Sequence, residues 1–163
     1  MAEKTLATLF HDTLRDIYYA ERKILAALPK MARGAQDPKL KDAFQSHRDQ
    51  TEGQIERLQR VFEIIEKAPR GKTCPAIDGI LEEGAEILEE YKGSPALDAG
   101  LLAAAQAVEH YEITRYGTLM AWAERLGMKE AADLLSQTLD EESKTDSDLT
   151  KLAKTAVTAA AAK

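Results

Sequence analysis

Four glutamates, Glu21, Glu109, Glu112 and Glu142, stand where a helical chain would bury them. The stretch VEHYEITRYG, residues 108–117, puts Glu109 and Glu112 one turn apart, and residues three apart share one helical face. That face also carries Leu102, Ala105, Tyr116, Leu119, Ala123 and Leu126. Burying an unpaired carboxylate costs several kcal/mol, and like charges beside it raise the cost. Compensation must come from protonation, from basic partners or from metal. Hard oxygen ligands suit iron or manganese, so converging carboxylates could hold two divalent ions, with iron ahead of manganese.

The segments that must position these acids are legible from punctuation and period. Helices are expected near 4–33, 38–67, 76–91, 95–126 and 129–159. Gly34 is read as the end of the first and Asp37-Pro38 as the capped start of the second. Ser94 is read as the N-cap of the fourth segment, and Gly127 as its terminal glycine. Each long segment carries an unbroken 4-3-4-3 ladder, the seam of a four-helix bundle. The ladders read Phe10, Leu14, Ile17, Glu21, Ile24, Leu28, Met31; Leu40, Phe44, His47, Thr51, Gln54, Leu58, Val61, Ile65; Leu102, Ala105, Glu109, Glu112, Tyr116, Leu119, Ala123, Leu126; and Ala131, Leu135, Thr138, Glu142, Thr145, Leu149, Leu152, Ala156. All four are apolar at both ends and polar midway, so side-by-side packing would bring the polar positions into one layer. Residues 68–94 are too many for a hairpin turn and read as a crossover along the bundle. The expected class is all-α: a ferritin-like four-helix bundle in a single domain, with a short fifth helix in the long crossover.

Di-iron bundles take one Glu from each of two helices and a Glu-x-x-His from each of the other two. Glu21 fills a single slot, and Glu109-x-x-Glu112 is an enriched version of the other. Glu142-x-x-Thr145 keeps only the acid, and Thr51-x-x-Gln54 keeps neither residue. Gln54 could ligate through its amide oxygen or stay hydrogen-bonded in the core. Asp146, one turn beyond Glu142, is either recruited by a twist or π-bulge or left as an exposed acid. Gln50 and His47 lie one turn above Gln54 and Thr51, and His47 is read as a hydrogen-bonded core histidine in preference to a ligand. His110 lies about 100° around the helix from Glu109, which suits a position between helices. Tyr18, Tyr111 and Tyr116 read as core aromatics whose hydroxyls could reach ligating carboxylates. No role is assigned to Cys74.

Composition narrows the function classes. A chain of 163 residues suits one domain. The net charge of −6 argues against nucleic acid as a partner. One cysteine permits no intrachain disulfide and no four-thiolate iron site. Charges interrupt the first residues, MAEKTLATLFHDTLRD, and no run approaches 18 apolar residues. A cytoplasmic location without membrane contact is therefore expected.

LFHDTLRDIYYAE, HRDQTEGQIERLQRVFE, AVEHYEITRYGTLMAWAERLG and TLDEESKTD resemble the YciE/YciF-type bacterial stress proteins, a ferritin-like, rubrerythrin-related family of largely unknown function. The resemblance covers nearly the whole chain. It implies a bundle with a di-metal centre, usually in a homodimer, with Glu21, Glu109, Glu112 and Glu142 as ligands and Asp146 as an additional acid. The family often has an acid at the position of Gln50 or a histidine at that of Gln54, and both are glutamine here. The expected function is a di-metal stress protein acting on peroxide, oxygen or iron. The alternative is a non-catalytic stress protein that uses the bundle for dimerisation or partner binding.

Overall fold

A computed structural model describes residues 3–157 and 161–162. Five helices follow in order: α1 (Leu6–Gly34), α2 (Pro38–Ile64), α3 (Pro75–Glu90), α4 (Leu97–Arg125) and α5 (Lys129–Leu152). A π-helical turn, Ala153–Val157, extends α5. Among the described residues there is no strand. None of these helices is long and apolar enough to cross a membrane.

Local signals account for most of the boundaries. The Asp37 side chain accepts the N–H groups of Lys39 and Leu40, and Pro38 occupies the first turn of α2, where its missing N–H leaves nothing unpaired. Gly127, at φ 74°, supplies the left-handed residue after α4.

Gly34 ends α1 as expected, and a Cβ there would meet Leu88 Cδ1 at 2.2 Å, so this glycine also admits α3. Three ends differ from expectation. Helix α2 stops at Ile64 and not at 67, because Lys67 N–H turns back to the Phe62 carbonyl at 2.9 Å. That closure puts Glu66 at φ 55°, a conformation that usually selects glycine, so no glycine marked it. Ser94 is not the N-cap of α4: its hydroxyl accepts Ala96 N–H at 3.1 Å, and the helix begins at Leu97. The last expected helix keeps α-helical geometry to Leu152 and π-helical geometry to Val157; residues 158 and 159 and the Ala156 side chain lie outside the described residues.

The four long helices form a ring in which α1 packs on α2, α2 on α5, α5 on α4 and α4 on α1. Helix α3 lies against both α1 and α4 and so covers the seam between them. The buried Asp98 carboxylate accepts the N–H groups of Gln36 and Asp37 at 2.8 and 2.6 Å. The start of α4 is thereby tied to the end of α1, which makes the two antiparallel and gives the crossover its ferritin-like direction.

The ladder positions face inward as expected. Those of α1 are all buried, from Phe10 to Met31, with Glu21 fully enclosed among Ile17, Ile24 and their neighbours. Only Ile65, Leu126, Thr145 and Leu152 are half-buried among the described ladder residues. Apolar layers therefore close both ends of the bundle around a polar middle.

Asp98→Ala should expose the importance of the α1–α4 tie. Losing two hydrogen bonds to a charged acceptor leaves both N–H groups without a partner, an expected cost of about 3 kcal/mol. Thermal unfolding should fall by roughly 6–12 °C, and Asp98→Asn, which keeps one acceptor, by about half as much.

Candidate metal centre

The polar layer is built by one to three residues from each helix of the ring. Helix α1 supplies Glu21, α2 supplies His47, Thr51 and Gln54, α4 supplies Glu109, Glu112 and Tyr116, and α5 supplies Thr138 and Glu142. The i, i+3 spacing of Glu109 and Glu112 places both on the inward stripe of α4. All of these residues are buried, and the four glutamates are at 0% exposure.

Four of them converge tightly. One ligand atom from each of His47, Glu109, Glu112 and Glu142 lies within 4.8 Å of the others. His47 Nδ1 approaches Glu109 Oε1 at 3.0 Å, and its Nε2 lies 3.8 Å from Glu142 and 3.9 Å from Glu112. The 3.0 Å contact is too far off line to be a hydrogen bond, so both oxygens of Glu109 stay unpartnered. Unpartnered as well are both oxygens of Glu112, Glu142 Oε2, Glu21 Oε2, Gln54 Oε1 and His47 Nε2.

Such concentration shifts the acids upward. Burial, then the neighbouring Glu142 charge, pushes Glu21 up to about 8, against the pull of a hydrogen bond from Tyr116. Burial, then contact with Glu142, pushes Glu109 up to about 12. Glu112 is raised well above the carboxylate range by burial and by the charges of Glu142, Glu21 and Glu109. Burial lowers the pKa of His47, with Glu142 opposing. Without a cation the histidine is thus held neutral and the acids are driven toward protonation.

The surrounding contacts are specific. Tyr116, fully buried, donates its hydroxyl to Glu21 Oε1 at 2.5 Å. The Gln54 amide donates to Glu142 and, at 3.1 Å, to Glu141. Arg57 forks onto Glu141 and also reaches the Thr138 hydroxyl at 3.1 Å. Burial raises the pKa of Glu141, but the hydrogen bonds from Arg57 and Gln54 outweigh it and leave the group lowered. Glu141 is therefore the ionised anchor that fixes Gln54 and, through it, Glu142.

Among the candidates read from sequence, Glu109, Glu112 and Glu142 converge, and Glu21 borders them through Glu142 and Tyr116. Gln54 lies in the layer but presents its N–H to Glu142, while Asp146 lies outside the convergence. Asp146 is half-buried and accepts from Gln106 Nε2 at 3.1 Å, with His110 Nε2 also 3.1 Å away. His47, expected to be a hydrogen-bonded core residue, instead contributes a nitrogen to the group. Its position on the α2 ladder one turn from Thr51 was the available signal. Arg57 and Glu141 were not singled out; the signal was Arg57 three residues after Gln54, and so on nearly the same face.

Residues 5–162 match a family described as a domain of unknown function, DUF892. The chain is 46% identical over 155 residues to Protein YciF of Escherichia coli strain K12, with 94% of this chain and 93% of that protein covered. Among solved structures it resembles the E. coli stress protein YciF, with TM-score 0.89 and 45% identity over 93% of this chain and 96% of the other. YcfI from Rhodopseudomonas palustris gives TM-score 0.88 at 45% identity, covering 92% and 97%. A protein of Xanthomonas campestris pv. campestris shares the fold at TM-score 0.75 and 21% identity, covering 96% of each chain.

The raised acids set a pH dependence for the metal-free protein. Above the ordinary carboxylate range the folded state holds protons that the unfolded chain has released, so rising pH favours unfolding. His47, lowered by burial, acts oppositely only below about 6.5. Stability should therefore fall from about pH 6.5 to about pH 8, through the range in which Glu21 loses its proton. The slope is about 1.4 kcal/mol per pH unit for each carboxyl still protonated. Denaturant unfolding of Glu109→Gln should show a slope shallower by about one third, since one of three raised acids is gone.

Proposed function

The chain belongs to the DUF892 family, and from that premise and the buried cluster we propose that it is a stress-related protein holding a carboxylate-bound pair of divalent ions. The proposed ions are iron in preference to manganese, and the proposed reactant is peroxide or oxygen. One observation carries the reading: eight buried oxygen and nitrogen atoms of Glu21, His47, Gln54, Glu109, Glu112 and Glu142 have no hydrogen-bond partner. Native proteins leave few such groups unpaired, and a cluster of them in one layer supports the reading that an ion completes it.

The residues present fit that group. His47, Glu109, Glu112 and Glu142 would hold one ion, and Glu21 beside them would help to hold a second. When bound, such ions supply electron exchange and polarise an oxygen species. The chain itself does the remaining work. The raised carboxyls would give up their protons to hold such ions as carboxylates. Tyr116 keeps a proton on its hydroxyl and steadies Glu21. Gln54, anchored on Glu141 and Arg57, orients Glu142. The apolar layers above and below exclude water from the centre.

The proposed setting is a cytoplasmic homodimer. A second reading, a non-catalytic bundle with a relic polar layer, draws on the acids' raised pKa values, since protonation alone would relieve their repulsion.

Metal analysis of protein purified without chelator separates the two. The expected content is about two ions per chain. Ferrous iron or manganese at a hundredfold excess over Kd should raise the melting temperature by about 5–10 °C. Glu109→Ala should lower both metal content and that stabilisation. Less than about a tenth of an ion per chain, with no thermal shift on metal addition, would leave the non-catalytic reading.

A further inference from the structure

The centre is enclosed, so whatever reaches it needs a route through one of the helix seams. Helix α3 covers the seam between α1 and α4, whereas no described helix covers the seam between α2 and α5. A cavity of about 480 Å³ opens at that bare seam, walled by Ala43, Ser46, His47, Gln50, Thr145 and Leu149 among others. His47 stands on this wall and also belongs to the converging group, so the cavity borders the centre at His47. Four further cavities have no residue of the converging group on their walls.

The inner wall has a single polar closure. The one proton of the Thr145 hydroxyl is shared between Gln50 Oε1 at 3.2 Å, which bridges α5 to α2 beside His47, and the Glu141 carbonyl of its own helix at 3.0 Å. At the mouth stand Lys39, Asp42, Lys144 and Asp148, two cations and two anions. Lys144 and Lys151 both hold Asp148, at 2.5 and 3.3 Å. With Lys151, three cations against two anions leave the mouth close to neutral, which does not bar uncharged solutes. Beyond it, Ser46, Gln50 and Thr145 present hydroxyl and amide groups to a polar visitor.

We propose that the α2–α5 cleft is the entrance by which a small uncharged hydroxylic molecule, of the peroxide class, reaches His47 and the carboxylates, with the Thr145–Gln50 hydrogen bond as its inner closure. The choice of peroxide rests on the metal-centre reading; the position of the entrance does not.

The test measures access in two ways. In metal-free protein, diethyl pyrocarbonate modifies histidines, and peptide mass spectrometry follows His47 against His110, whose side chain is 68% exposed, as internal reference. Ser46→Trp should slow His47 modification by about tenfold or more while leaving the His110 rate and the melting temperature unchanged. Thr145→Val, which removes the closure without adding bulk, should speed it. In ferrous-loaded protein the same two variants should shift the rate of oxidation by hydrogen peroxide in the same directions at unchanged iron content. His47 modification at the wild-type rate in both variants, or none in the wild type, would overturn the entrance. Protein that takes up no ferrous iron would sink the metal reading instead, and His47 modification would still judge the entrance.

Discussion

Four carboxylates in one dry layer with no lysine or arginine among them is the constraint on which the molecule turns. Glu21, Glu109, Glu112 and Glu142 are fully enclosed, and the one basic side chain among them, His47, has its pKa lowered by burial. Ionised and unpaired, such a group would cost more than a domain's whole margin of stability. The acids must therefore be neutralised by protons or by cations. Several features of the bundle make this layer tolerable: Tyr116 donates to Glu21, Gln54 donates to Glu142, and apolar ladder residues pack the helices together at either end.

Neutralisation by protons and by cations implies different molecules. Protonated acids would have one another as hydrogen-bond partners, Glu142 for Glu109 and Glu112, and Glu112 for Glu21. Cations make use of those same oxygens. Helix α3 closes one seam, Asp98 ties that side of the bundle at its end, and the opposite seam carries the cavity that borders the centre at His47.

Much of this was legible because it depends on period. A 3.6-residue helix fixes which residues share a face, so the inward rows, including all four buried glutamates, follow from spacing alone. What escaped depends on rotation and partner geometry, which period does not encode. Asp146 sits one turn beyond Glu142, but a half-buried position between α4 and α5 lets Gln106 and His110 take its carboxylate. His47 looked like a core histidine because one helix cannot show that three acids from two others will surround it. The end of α2 escaped for a local reason: a glutamate, Glu66, occupies the left-handed position that sequence reading reserves for glycine.

Gln54 shows how charge balance shapes the donor set. In the proposed centre four carboxylates carry four negative charges, and two divalent ions carry four positive ones. An acid at position 54 would add a fifth negative charge in a medium where excess charge is poorly screened. An amide adds none and still contributes two donors, one to Glu142 and one to Glu141. Glu141 in turn keeps its charge because Arg57 cancels it outside the layer. The glutamine is therefore consistent with a neutral loaded layer: it orients one carboxylate by hydrogen bonding where a further acid would have unbalanced all four.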